Sequence, residues 1–440
     1  MKKEMYELSE FSIKNAKAAG ADECRVQIDS ERFVEISYRN HKPENIKEAS
    51  KKELSVEIFV NKRYSRQWTS DLRMNALKTF ISNAVNATRL LAEDPFRTLP
   101  DPKYYQGRAR VDLETNDPDY PNLTAERRHL LVQTIEKSCL KKGGDKTISV
   151  TAQEYDNRYE SVMVASNGFD GYRQATVYWA GAEMTLQGEG DRRPNGYNYM
   201  ASVSQKGLPP AKDIGELTAK RTFDLLGGKK IKTETLPIII ENRNVPRIMY
   251  GFLSAMYGQN IQQKRSFLAD QKNKTVGSKH FTVIDNPLLK GGLGSRLFDG
   301  DGFAAKKRTM IEKGVLKDFY VDWYYSRKLG WEPTTGRPSN TIIPPGKRSV
   351  AEIMKDLGRG ILITGFIGGN SNSTTGDASV GIIGKLFENG TPVQTVVEMN
   401  IADNHLKFWQ KLSEVANDPW IYSSWRTPSL VFTDVVVSGA

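Results

Sequence analysis

Cysteine and histidine are scarce in this chain. It has two cysteines, Cys24 and Cys139, and four histidines, His41, His129, His280 and His405, among 440 residues. Two cysteines make no disulfide framework. Cys24 alternates with Val26 and Ile28, and Cys139 falls late in a helical pattern, so both read as buried side chains rather than catalytic thiols. No histidine lies three or four residues from another, so the paired ligands that one helix face can offer a metal are missing. No metal or other cofactor is expected from the residues alone. No apolar run approaches the ~20 residues of a membrane span. Met1-Lys2-Lys3-Glu4-Met5 turns straight into an amphipathic pattern without the apolar core of a secretory leader, and the expected location is the cytoplasm.

Nucleotide and calcium motifs are missing as well. Gly384-Lys385 invites comparison with a phosphate loop, but Ser379 stands where the first glycine is needed and Leu386 follows the lysine. Asp299-Gly300-Asp301-Gly302 lacks the remaining ligands of a calcium loop and reads as a turn. The net charge is +11, from 63 basic and 52 acidic residues. The basic residues are dispersed in short clusters such as Lys306-Lys307-Arg308, which read as solvated turns, so nucleic acid is not the expected partner.

What is present is a pattern of segregated helices and strands. Helical spacing marks residues 4–19, stopped by Gly20, then 71–91 with Asp71 as a candidate cap, 124–142 and 211–226. Alternation marks 24–28, 34–38 and 54–60, the last turning at Asn61-Lys62. Residues 147–204 read as strands, with a tight hairpin at Asn167-Gly168. Residues 95–121, rich in proline and aspartate, read as a long loop. A buried strand at 236–240 precedes an apolar helix over 244–261. Beyond Phe267 the chain reads as strands and glycine turns, with helices only at 350–357 and 404–415. The expected class is α+β in two domains: 1–230, with helices on an antiparallel or mixed sheet, and 231–440, rich in strands.

The best-marked functional stretch is Gly365–Gly384, small and polar between two apolar runs. Its glycines allow close approach of a partner chain, and its hydroxyls and amides can satisfy exposed backbone. A loop lining a peptide or protein cleft and a plain surface loop both fit these residues.

Several landmarks in order resemble the TldD/PmbA family. They are Val164-Ala165-Ser166-Asn167-Gly168-Phe169, Phe298-Asp299-Gly300-Asp301-Gly302, and the block from Asn370 through Thr375-Gly376-Asp377-Ala378-Ser379-Val380-Gly381 to Gly384 and Glu388-Asn389-Gly390. Pro392-Val393, Asn400-Ile401-Ala402-Asp403, Asn417-Asp418, Thr427-Pro428-Ser429-Leu430 and Val437-Ser438-Gly439 complete the set. The resemblance covers nearly the whole chain. It implies two branches: a TldD-like zinc protease with H-E-x-x-x-H on a helix of the second half, and a PmbA- or TldE-like branch without that motif, which pairs with the first. Aligned on Ser266-Phe267-Leu268, this chain has Met249, Ser254 and Tyr257 near the motif positions, poor zinc ligands beside imidazole.

The resemblance therefore implies a metal-less subunit of a heteromeric zinc protease, with a TldD-like subunit, a second copy of itself, or both as partners and unfolded peptide as substrate. Its substrate or interface residues would be Asn370, Thr375, Gly376, Asp377, Ser379 and Asn400, with no catalytic or metal-binding residue of its own. Two alternatives remain: a regulatory protein linked to DNA gyrase modulation, and an autonomous hydrolase using a serine of 371–379 with His405 and Asp377 or Asp403.

Overall fold

The computed structural model describes residues 2–439. The first part contains α1 (Lys2–Ala18), β1 (Glu23–Arg39), β2 (Lys42–Val60), β3 (Arg63–Thr69), α2 (Met74–Thr88), α3 (Ala125–Gly143), β4 (Thr147–Ala165), β5 (Asp170–Leu186), β6 (Asn195–Ser202) and α4 (Ala211–Phe223). The remainder opens with β7 (Glu234–Ile240), α5 (Val245–Ser254), α6 (Gly258–Gln262), β8 (Val283–Asp285), β9 (Arg308–Glu312), β10 (Val315–Leu316), α7 (Trp323–Leu329), β11 (Thr341–Ile342) and α8 (Val350–Leu357). It closes with β12 (Arg359–Ser371), β13 (Asp377–Glu388), β14 (Thr391–Asn404), α9 (His405–Phe408), β15 (Leu412–Val415), β16 (Trp425–Arg426) and β17 (Leu430–Ser438).

The first six strands form one sheet in the order β3-β2-β1-β4-β5-β6. Positive φ at both Asn61 and Lys62 makes the tight primed turn whose twist suits β2 and β3. All four helices cover one face. Along β1, Cys24, Val26 and Ile28 pack with α1 and α2, and Val34, Ile36 and Tyr38 pack with α3 and α4. The sequence pattern splits this strand in two because Ser30 and Arg32 occupy the same face between the helix pairs, where no apolar side chain is required. Before it reaches β3, β2 is paired on one side only, with β1, and this edge is rich in lysine and glutamate, which discourages pairing with other chains.

In the rest of the molecule β14-β13-β12-β7-β17 run side by side, and β14 also pairs with β17, closing a small barrel whose outer strand is β15. Its core contains Ile238, Ile240, Phe252, Ile361, Ile363, Trp409 and Phe432. A second five-stranded sheet, β10-β9-β8-β11-β16, consists of very short strands. The architecture is α+β, as the pattern implies. Among the described residues no helix is long and apolar enough to cross a membrane.

Four local expectations need correction. Helix α2 starts at Met74 with Arg73 as its cap position, because Asp71 is bound to the Arg73 amide and guanidinium instead. The helix expected over 244–261 is interrupted, since Tyr320 N–H donates to Met256 O and Gly258 N–H donates to Tyr320 O. Leu412–Val415 is a strand, because pairing with β17 outweighs its helical spacing. Helix α7 lies in an aromatic run read as strand. Asp322 caps it by accepting the Tyr325 N–H at 2.7 Å, and Gly330 ends it in the left-handed region.

Candidate functional site

The Gly365–Gly384 segment is a β-hairpin rather than a loop. Strands β12 and β13 pair through it, with register shifts between Ile363 and Gly365 and between Ile367 and Asn370. The turn is rigidly bonded. Asn372 N–H donates to Asp377 O and Gly376 N–H to Asn372 O, both at 2.8 Å, and Gly376 has φ 84°. Asp377 accepts from Asn404 Nδ2 at 3.0 Å and from Thr375 Oγ1 at 2.7 Å. These bonds, Asn404's first, hold its carboxyl below the usual carboxylate range, so it is ionised at neutral pH.

The six residues singled out from the sequence come together. Asn370 stands opposite Ser379, which stands opposite Ala402. The side chains of Ser379 and Asn400 bond at 3.1 Å. Thr375 and Gly376 build the turn. Asn370, Asp377 and Ser379 line an open groove of about 910 Å³ together with Ser371, Asp403 and Lys407.

Beneath the groove, a serine of the 371–379 stretch does meet His405: Ser371 Oγ lies 2.8 Å from His405 Nε2. The His405 ring is buried, stacked on Phe267 and edge-on to Phe252. Burial lowers its pKa to about 4, with Asp403 pulling the other way. Helix α5 approaches so closely that a Cβ on Gly251 would overlap Ser371 Oγ and stand 2.9 Å from His405 Nε2. The pair lacks the orienting group of a catalytic triad among the described residues. Asp403 is bound to Lys411 at 2.7 Å, and Asp377 belongs to the turn. An imidazole with so low a pKa is also a weak base at neutral pH.

Strand β12 continues past its neighbour. It pairs with β7 only over Ile361–Ile363 and thereafter with β13 alone. Along that free side, carbonyls are met by side chains. Thr364 O accepts from Arg221 at 2.8 Å and Asn244 at 2.9 Å, and Gly368 O accepts from Arg247 of α5 at 2.8 Å. Helix α5 presents no imidazole or carboxylate. Met249 is fully buried, Tyr250 is exposed, and Ser254 Oγ donates to Gly251 O at 2.8 Å. No group of three or more histidine, cysteine, aspartate or glutamate residues positioned to hold a metal occurs among the described residues. A thioether and a self-bonded hydroxyl do not fit zinc, so no chemical step is routed through a metal on this chain.

The barrel is thus crossed by an apolar helix and carries a polar hairpin groove and a strand, β12, that outruns its neighbour β7. The profile of the PmbA/TldA metallopeptidase C-terminal domain matches residues 233–439. A crystal structure from Bacteroides thetaiotaomicron, described as a candidate modulator of DNA gyrase, superposes with a TM-score of 0.96 at 34% identity, covering 99% of each chain. Metalloprotease PmbA of Escherichia coli O157:H7 is 25% identical over 95% of this chain and 93% of its own. TldE of Thermococcus kodakarensis shares the fold, with a TM-score of 0.87 at 21% identity over 99% of this chain and all of its own. The chain belongs to the PmbA/TldD metallopeptidase family and is PmbA-like.

Proposed function

We propose that this chain is the non-catalytic, PmbA/TldE-like subunit of a heteromeric zinc metalloprotease. It holds unfolded peptide or small protein substrate for a TldD-type subunit that carries the metal and the general base. The observation that carries this reading is helix α5, which has no histidine, aspartate or glutamate, with Met249 and Ser254 on it and Tyr257 just beyond it near the positions where the resemblance implies the metal motif. Two features support the peptide role. The side of β12 beyond β7, where the side chains of Arg221, Asn244 and Arg247 meet its carbonyls, suits addition of an extended strand. The hairpin and its neighbouring strand offer Asn370, Thr375, Gly376, Asp377, Ser379 and Asn400 as a pre-ordered polar surface for substrate or partner, with Asn370, Asp377 and Ser379 lining the groove.

Reconstitution tests it. The purified chain and a TldD-type subunit from the same organism are assayed separately and mixed on an unstructured fluorogenic peptide. The mixture is expected to cleave far faster than either alone and to co-elute on gel filtration. Full peptidase activity in this chain alone contradicts the proposal.

A further inference from the structure

The cleft between α4, β6 and β12 contains a guanidinium, Arg243, with no carboxylate bonded to it among the described residues. Its volume is about 520 Å³, and its wall carries Lys220, Arg221, Arg243 and Lys385 against only Asp224 and Glu241. Both carboxylates are engaged elsewhere. Glu241 is held by Arg221 through two bonds, at 2.6 and 2.8 Å, and by Asn244 at 2.7 Å. Asp224 lies 3.3 Å from Lys385 and 3.5 Å from Lys220. Among the described residues no aspartate or glutamate forms an ion pair with Arg243.

The Arg243 guanidinium is nonetheless fixed in place. Nη1 donates to the buried Asn198 Oδ1 at 2.7 Å, and the rings of Tyr197 and Trp420 flank it at 5.9 and 5.3 Å. Nη2 has only a long contact of 3.5 Å to Tyr197 O, which leaves a donor edge uncommitted. Burial, and then the charge of Arg221, lower its pKa to about 10, with the charge of Glu241 pulling the other way. A planar guanidinium held in one orientation recognises a carboxylate through paired bonds.

We propose that this cleft is a carboxylate site and that Arg243 binds the C-terminal carboxylate of an extended peptide. The apolar part of the wall, with Phe366 and Ile383, would receive the last side chain. Thr364 and Phe366 line the cleft at the point where β12 loses its partner, so the preceding residues would run along β12 toward Ser371, a reach of roughly 23 Å. The peptide identity of the ligand rests on the substrate-holding role above; the anion site itself does not.

The test is fluorescence anisotropy of the full chain with an N-terminally fluoresceinated hexapeptide ending in phenylalanine, as free acid and as C-terminal amide. The acid is expected to bind about tenfold tighter. Arg243→Gln should erase the difference and Arg243→Lys keep part of it, with near-UV circular dichroism confirming that both variants fold. Equal binding of acid and amide by the unaltered chain overturns the carboxylate site and leaves peptide capture standing. Inorganic phosphate that displaces the acid where acetate does not also overturns it. If neither peptide binds, the peptide-holding role fails, and N-acetylphenylalanine decides the site separately. A rise in Tm with the acid, absent with its amide and absent in Arg243→Gln, supports it; no rise overturns it.

Discussion

His405 shows how one side chain can resemble chemistry and serve structure. Its ring is enclosed by Phe267 and Phe252, its Nε2 is satisfied by Ser371, and burial keeps it neutral. That neutrality has a pH signature. The folded pKa of about 4 lies below the ordinary imidazole value of ~6.5, so as pH falls the unfolded chain takes up the proton first. Stability is full above ~6.5 and is lost as pH drops toward the folded pKa, amounting to roughly 2 kcal/mol by about pH 5. Urea unfolding at about pH 7.5 and pH 5 should show this loss in the unaltered chain and a smaller one in His405→Gln. An equal loss in both would show that other groups carry the acid sensitivity. The sequence supplied the residue types of this pair but not the contact, because Ser371 and His405 are brought together only by the ends of β12 and β14.

Among the elements, α5 is the most constrained. Glycine inside a helix ordinarily costs about 1 kcal/mol relative to alanine, yet Gly251 stands at its centre. Close approach to Ser371 and His405 explains the choice. Gly251→Ala should therefore destabilise by about 1–3 kcal/mol despite its better helix propensity, measured as a fall in the urea midpoint. A stabilised variant would mean that the hairpin yields to α5. Strongly periodic elements were legible from sequence: α1, α3, α4, the β2–β3 turn and the β4–β5 hairpin all follow local pattern and turn chemistry. Elements decided by distant partners were not. The alternation of β1 is hidden by Ser30 and Arg32, α6 is set apart by Tyr320, and Leu412–Val415 takes its form from β17. The six hairpin residues could be read as a group because they lie within two adjacent strand pairs. Arg243 could not, because its importance lies in a missing carboxylate, which no linear pattern records.

Across the whole molecule, the helix-covered sheet and its flanking loops meet the Phe298–Gly302 turn and α7 through polar and charged groups. Arg25 of β1 lies 2.7 Å from Glu57 and 3.7 Å from Asp301, and burial pushes the Asp301 carboxyl up to about 6 against the pull of Arg25. Asp301 also accepts the Trp323 N–H, while its neighbour Asp299 accepts the amides of Asp301 and Phe303. The Phe298–Gly302 turn, which could pass for a calcium loop, is therefore a structural junction. Tyr324 to Asp94 at 2.7 Å and Trp323 to Thr98 at 3.0 Å add further links between the two parts. Under the proposed function, the metal chemistry belongs to the TldD-type subunit and not to this chain. Zinc content is its most direct test. After incubation with excess zinc and gel filtration, the chain alone should hold far less than one equivalent, and a complex with a TldD-type subunit should hold one per pair. One tightly held, stoichiometric zinc in this chain by itself would contradict the account.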